Sequence, residues 1–144
     1  MSSDDESVDL INHPPHYGDE VQAIDLIECL SLGFHAGNAV KYIVRHEHKG
    51  NPEQDLRKAL WYVKRLLDNP ELHSPVISTT QYVNLADECR LYLKALTSRI
   101  NNPRACEALE RLCAYQITAF KDFKSLNLRT AQLYLLQALK QVDA

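Results

Sequence analysis

A chain of 144 residues with 45% hydrophobic side chains can bury a core of its own, which excludes a wholly disordered protein. No apolar run reaches the roughly 18 residues that cross a bilayer, so no membrane partner is expected. The net charge of −3 argues against a nucleic-acid partner, but the charge is uneven: residues 1–40 hold eight Asp or Glu and no Lys or Arg, whereas residues 41–65 hold seven Lys or Arg against three acids. Such a local excess attracts small anions.

In chain order, residues 1–12 read as a disordered acidic tail, the opposite of a secretory leader, and the expected location is the cytoplasm. The segment "HPPHYG" (His13–Gly18) is a turn or extended entry, because its two prolines lack amide donors and restrict their neighbours. Asp19 then caps a first helix, with Gln22 three residues on. Its apolar stripe is Val21, Ile24, Ile27 and Cys29 or Leu30, and Gly33 ends it. A second helix covers about 35–47. Ala36, Ala39, Val40 and Ile43 form its buried side, and Asn38, Lys41, Tyr42 and Arg45 share the other. "KGNPEQ" stops one helix at Gly50 and starts the next, with Asn51 as cap, Pro52 at the first position and Gln54 completing the box. This third helix runs to about Asp68. Leu56, Ala59, Leu60, Val63 and Leu67 face inward; Arg57, Lys58, Trp61, Lys64 and Arg65 face outward.

The break at "DNPELHSP" (Asp68–Pro75) is followed by long helical periods. Tyr82, Ala86, Cys89, Leu93, Leu96 and Ile100 make one seam. Asn102 and Pro103 cap a second, with Cys106, Leu109, Cys113, Gln116, Ile117, Phe120 and Phe123. The last helix, from about Ser125 or Asn127, uses Leu128, Ala131, Leu135, Leu139 and Val142. Such seams read as core plus oligomer interface. The four cysteines (Cys29, Cys89, Cys106, Cys113) show no CxxC pair and read as buried thiols in a reducing compartment, not a zinc site.

No phosphate loop, dinucleotide fingerprint, nucleophile elbow or HExxH motif is present. Asp25, Glu28, Glu47 and Glu53 read as caps or surface charges, so no bound metal or cofactor is expected. The face of Asn38, Lys41, Tyr42 and Arg45 is the better candidate. Its cations suit phosphate and its phenol and amide suit a base, although spacing alone favours a solvated face with the tyrosine leaning on the core. His13, His16 and Tyr17 either meet phosphate and move a proton or merely cap a carbonyl. His46 and His48 extend the basic turn. Trp61 either stacks on a base or anchors an interface.

Together, "HYGDEVQAIDLIE", "GNAVKYIVRHEHKG" and "EQDLRKALWYVKRLL" resemble a family of small tailed-phage proteins described as nucleotide kinases that lack a P-loop. The resemblance covers residues 13–68, and carries His16, Tyr17, Asp25, Glu28, Gly37, Asn38, Lys41, Tyr42, Arg45, Lys49, Gly50, Asp55, Lys58 and Tyr62. It implies phosphoryl transfer to a deoxynucleoside monophosphate. Lys41 and Arg45 would hold the phosphates and offset charge on the transferred group, with His16 as proton carrier. Lys49 and Lys58 would be further phosphate contacts. Asn38 would orient the substrate, Tyr42 or Tyr17 would pack on the base, Tyr62 would line the same site, and Asp25 and Asp55 would fix the cations. A nucleoside triphosphate would donate, with magnesium entering only through the nucleotide.

The expected architecture is all-α: a three-helix nucleotide-binding module over 13–68, a linker over 69–75, and a helical oligomerisation region over 76–144. The rival is a non-catalytic protein in the host cytoplasm that sequesters a nucleotide, a defence signal included, or blocks a host protein. A helical pyrophosphatase would need clustered acids that this chain lacks.

Overall fold

A computed structural model describes residues 20–73, 79–118 and 120–143. Among these the chain is helical, without strands: α1 (Ala23–Cys29), α2 (Phe34–Arg45), α3 (Pro52–Asp68), a 3-10 turn (Pro70–Leu72), α4 (Thr79–Thr97), α5 (Pro103–Ile117) and α6 (Lys121–Asp143). The expected acidic tail lies outside the described residues.

The second and third helices follow their local signals closely. Asn51 Oδ1 accepts from Gln54 N at 3.2 Å, Pro52 opens α3, and Gly50 takes a φ of +81° that a side chain would disfavour. Ala36, Ala39, Val40 and Ile43 are buried as their spacing requires. On α3 the inward row ends on fully buried Leu66 rather than Leu67.

The first helix departs from expectation. Its cap is Gln22, whose amide donates to Asp25 Oδ2 at 2.7 Å, so Asp25 secures its own helix and not a cation. Leu26 and Leu30 are buried, whereas Ile24 is 48% exposed. The stop is Ser31, at φ +52°, and Gly33 instead caps α2. Seven residues are too few for an apolar period to fix the phase of a helix. A second departure is the end of α5 at Ile117. The chain turns there, leaving Phe120 and Phe123 70% and 56% exposed, and α6 starts at Lys121.

One core runs through both halves of the chain. Leu128, Ala131, Leu135, Ala138 and Leu139 of α6 are buried, and α6 packs against α3 as well as α5. The apolar seams of residues 103–142 are therefore largely covered within the chain, each fully buried leucine contributing about 2 kcal/mol. Polar clasps join the parts. Asn102 caps α5 through Arg104 N and Ala105 N and donates from Nδ2 to Ala138 O. Gln116 Nε2 donates to Ser31 O at 3.2 Å. Arg99 pairs with Glu20 Oε2 at 2.9 Å and donates to Val21 O.

Cys29 and Cys89 form a disulfide between α1 and α4, with Cα atoms 6.0 Å apart. This corrects the reading of four free thiols, and removes the inference from thiols to a reducing compartment. A pairing across 60 residues leaves no mark in local spacing. Among the described residues no helix is long and apolar enough to cross a membrane.

Candidate functional site

The site is the outer face of the α2–α3 hairpin. The two helices run antiparallel, since Arg45 at the end of α2 meets Asp55 near the start of α3, while Phe34 at the start of α2 meets Tyr62 farther along. Gly37 faces α1: a Cβ there would lie 3.4 Å from Ile27 Cγ2, about van der Waals contact.

Tyr42 and Tyr62 stack across the hairpin, 6.1 Å between centroids and 13° from parallel. Three cations gather on Tyr42, with Lys41 Nζ, Arg45 Cζ and Lys58 Nζ at 4.6, 5.0 and 5.2 Å from its ring centre. The ring quadrupole holds such cations. Three of the expected site residues thus converge around a fourth, and Tyr42 serves as a seat for the cations, its ring already faced by charge.

The cations differ in what they have left to offer. Arg45 Nε and Nη2 each donate at 3.3 Å to the carboxylate of Asp55, which is 2% exposed. Asp55 also lies in the first turn of α3, where the helix dipole favours negative charge. It fixes a cation as the resemblance implies. Neither Lys41 nor Lys58 pairs with a described carboxylate, so both ammonium groups are open to an anion. Lys49 lies in the exposed turn between the helices, without an ion pair or ring contact among the described residues. Asn38 donates from Nδ2 to Phe34 O at 2.8 Å, which leaves its Oδ1 as the group to meet a ligand. His16 and Tyr17 lie outside the described residues.

Two shallow depressions flank this cluster. One, of about 260 Å³, is lined by Ile27, Leu32, Phe34, Gly37, Asn38 and Lys41. The other, of about 460 Å³, is lined by Asn51, Glu53, Gln54, Arg57, Lys58 and Trp61. Phe34 and Trp61, 70% and 58% exposed, both meet Tyr62 edge-on, at 5.9 and 5.0 Å. Phe34 escaped sequence reasoning. Its one signal is the position after Gly33, where a first-turn side chain need not reach the core.

His46 also differs from expectation. It is 1% exposed, and its Nδ1 hydrogen-bonds Ile43 O. The neighbouring Glu47 accepts from Asn101 N at 2.8 Å and Asn102 N at 3.1 Å, docking the end of α2 on the start of α5. Of the two histidines only His48 is exposed. The free thiols are poor nucleophiles: burial pushes Cys113 up to about 12 and raises Cys106. No three His, Cys, Asp or Glu among the described residues cluster as metal ligands.

Residues 11–64 carry a domain that matches a family described as a protein of unknown function (DUF3310). The match spans α1, α2 and most of α3, hence the whole cation–aromatic cluster, and stops short of α4 to α6. Its description names no activity. No curated protein and no solved structure matches the chain.

Proposed function

We propose that the α2–α3 face binds a nucleoside phosphate, and that the bound nucleotide is the substrate of phosphoryl transfer, a nucleoside triphosphate giving its phosphate to a deoxynucleoside monophosphate. One observation carries this reading: Lys41, Arg45 and Lys58 converge on a single tyrosine ring beside exposed aromatic side chains, with two of the three cations lacking a carboxylate partner among the described residues. Ammonium groups without carboxylate partners suit phosphate oxygens, and a flat apolar surface beside them suits a base. Lys41 and Lys58 meet the phosphates. Arg45, held by Asp55, adds fixed charge where negative charge develops on the transferred group. Asn38 Oδ1 and the Phe34 ring orient the nucleoside. Magnesium arrives on the nucleotide.

A second reading, in which nucleotide is held and not turned over, draws on the Arg45–Asp55 pair. With the Nε–Nη2 edge of Arg45 committed to Asp55, only its outer Nη hydrogens face a ligand, and the other two cations are flexible ammonium groups.

Calorimetry with deoxynucleoside monophosphates on the full chain tests the binding. Affinity is expected to fall as salt rises, because exposed cation–phosphate contacts are screened, and to survive EDTA. Complete loss in EDTA at low salt would show metal-mediated binding and overturn the assignment. Incubation with a γ-labelled triphosphate then separates the two readings: labelled diphosphate product marks transfer, and recovery of intact ligand marks holding alone.

A further inference from the structure

The nucleoside-phosphate reading, on which the following rests, seats a single nucleoside, at Asn38 and Phe34, yet the face offers two exposed aromatic rings in two depressions. Phe34 belongs to the depression that contains Lys41, and Trp61 to the one that contains Lys58. The depressions share no lining residue, and the two ammonium groups that border them meet at one ring, 4.6 and 5.2 Å from the centre of Tyr42. We infer that the ligand is a dinucleotide unit, two nucleosides joined through phosphate, with one base beside Phe34, the other beside Trp61, and the linking phosphate at Lys41 and Lys58.

The second depression is built for a base more than for a phosphate. Glu53 Oε1 already neutralises Arg57, accepting from Nε and Nη2 at 3.1 and 2.9 Å. A phosphate placed deep in it would meet that carboxylate. The side-chain amides of Asn51 and Gln54 border the same depression; Asn51 Oδ1 and Nδ2 are spent on Gln54 N and Gln54 Oε1, at 3.2 and 3.4 Å, which leaves Gln54 Nε2 as the amide donor for a base edge. Trp61 supplies the stacking surface. The first depression has Ile27, Leu32 and Phe34 as its apolar walls and Asn38 as its amide. Each depression thus pairs one aromatic ring with an amide and borders on one of two cations that have no carboxylate partner among the described residues. This is the order base, phosphate, base. The same unit occurs in a free dinucleotide and in any two-nucleotide stretch of a single strand.

Trp61 is the only tryptophan of the chain, so its emission reports on the second depression alone. The full chain is titrated with dTMP and dAMP, with pdTpdT and pdApdA, and with dT12 and dA12, by calorimetry and by Trp61 emission. A dinucleotide is expected to bind at least tenfold tighter than its mononucleotide and to quench Trp61, which the mononucleotide leaves bright. Trp61→Ala is expected to lower dinucleotide affinity to the mononucleotide level and to leave mononucleotide affinity unchanged. The side chain is mostly exposed, and a thermal melt of the variant confirms its fold. Mononucleotide binding without a dinucleotide gain, or a gain that survives Trp61→Ala, overturns the inference and leaves the nucleoside-phosphate reading standing. Absence of binding by all six ligands overturns both. If the dinucleotide gain is found, tight binding of the twelve-mers identifies a single strand as the source of the unit, and their exclusion identifies a free dinucleotide.

Discussion

The α2–α3 hairpin and the α5–α6 pair use the same kind of contact for opposite ends. On α6, Lys124 Nζ lies 4.5 Å from the ring centre of Tyr115, much as Lys41 lies over Tyr42. Lys124, however, is 5% exposed and donates to Tyr115 O at 2.8 Å, closing the C-terminal end of α5. Lys41 is exposed and has no carboxylate partner among the described residues. A cation on an aromatic ring is therefore not itself a site. What distinguishes the hairpin is that Lys41 and Lys58 gather on one ring without a described carboxylate partner, while Lys124 is spent on a backbone carbonyl and Arg104, 5.6 Å from the Tyr134 ring centre, on Glu107.

The largest test of that difference is to remove the open charges. The variant Lys41→Ala/Lys58→Ala is expected to lose about 3 kcal/mol of nucleotide affinity, roughly a hundredfold, since each charge-assisted hydrogen bond contributes about 1.5 kcal/mol. Its melting temperature is expected to stay near that of the wild type, because neither ammonium holds the fold. Calorimetry and a thermal melt on one sample check both. Unchanged affinity in a folded double variant would erase the distinction between the two regions.

Arg45 is the mixed case within the hairpin. Arg45→Ala is expected to destabilise the protein by about 2 kcal/mol, below the usual cost of breaking a fully buried pair because the arginine is partly exposed. The cause is the Asp55 carboxylate, 2% exposed and left without its partner. Adding Asp55→Asn is expected to recover most of the loss in urea unfolding. A double variant no more stable than Arg45→Ala would show that the pair contributes through packing and not through charge.

These two tests fall on residues of unequal legibility. Lys41, Tyr42 and Arg45 share a face at helical spacing and could be grouped from the chain alone, and the Asn51–Gln54 signal at the start of α3 is local. Lys58 and Tyr62 needed the resemblance, because their meeting with Tyr42 depends on how α3 crosses α2. Phe34 and the buried His46 were not legible: one faces solvent although apolar, the other is buried although polar, and tertiary contacts decided both. The apolar stripe of α1 was misphased because Ser31 ends the helix in a left-handed conformation that its residue type does not announce. In the second half, periodicity identified the core rows of α5 and α6 but could not show that these rows cover one another and α3.

Lys124 offers a smaller and pH-dependent test on the α5–α6 side. Burial lowers its pKa below the ordinary 10.5. Between those two values the unfolded chain binds more protons than the folded one, so stability from this group rises with pH. The desolvation penalty is present in full below the folded pKa and fades as pH climbs through it toward 10.5. Lys124→Met removes the titration. Its stability at neutral pH is expected to differ from the wild type by about 1 kcal/mol or less, since a lost hydrogen bond and a relieved charge oppose each other. The wild type should gain on the variant as pH rises above neutrality, and nucleotide affinity should be the same in both. Parallel stability curves in urea across that range would show that Lys124 is not titrating as a buried group.

The smallest effect is expected where the two regions join. Ser31 ends α1 at φ +52°, and its carbonyl accepts from Gln116 Nε2 near the end of α5. A side chain in the left-handed region costs about 1 kcal/mol relative to glycine, and the backbone carbonyl does not depend on the side chain. Ser31→Gly removes the steric cost but adds freedom to the unfolded chain, which offsets part of the gain. A net stabilisation of about 0.5 kcal/mol is expected, with nucleotide binding unchanged. Ser31→Val would move the other way by a similar or larger amount, because a β-branched residue tolerates positive φ poorly. If both variants melted at the wild-type temperature, the left-handed turn would be carrying no strain.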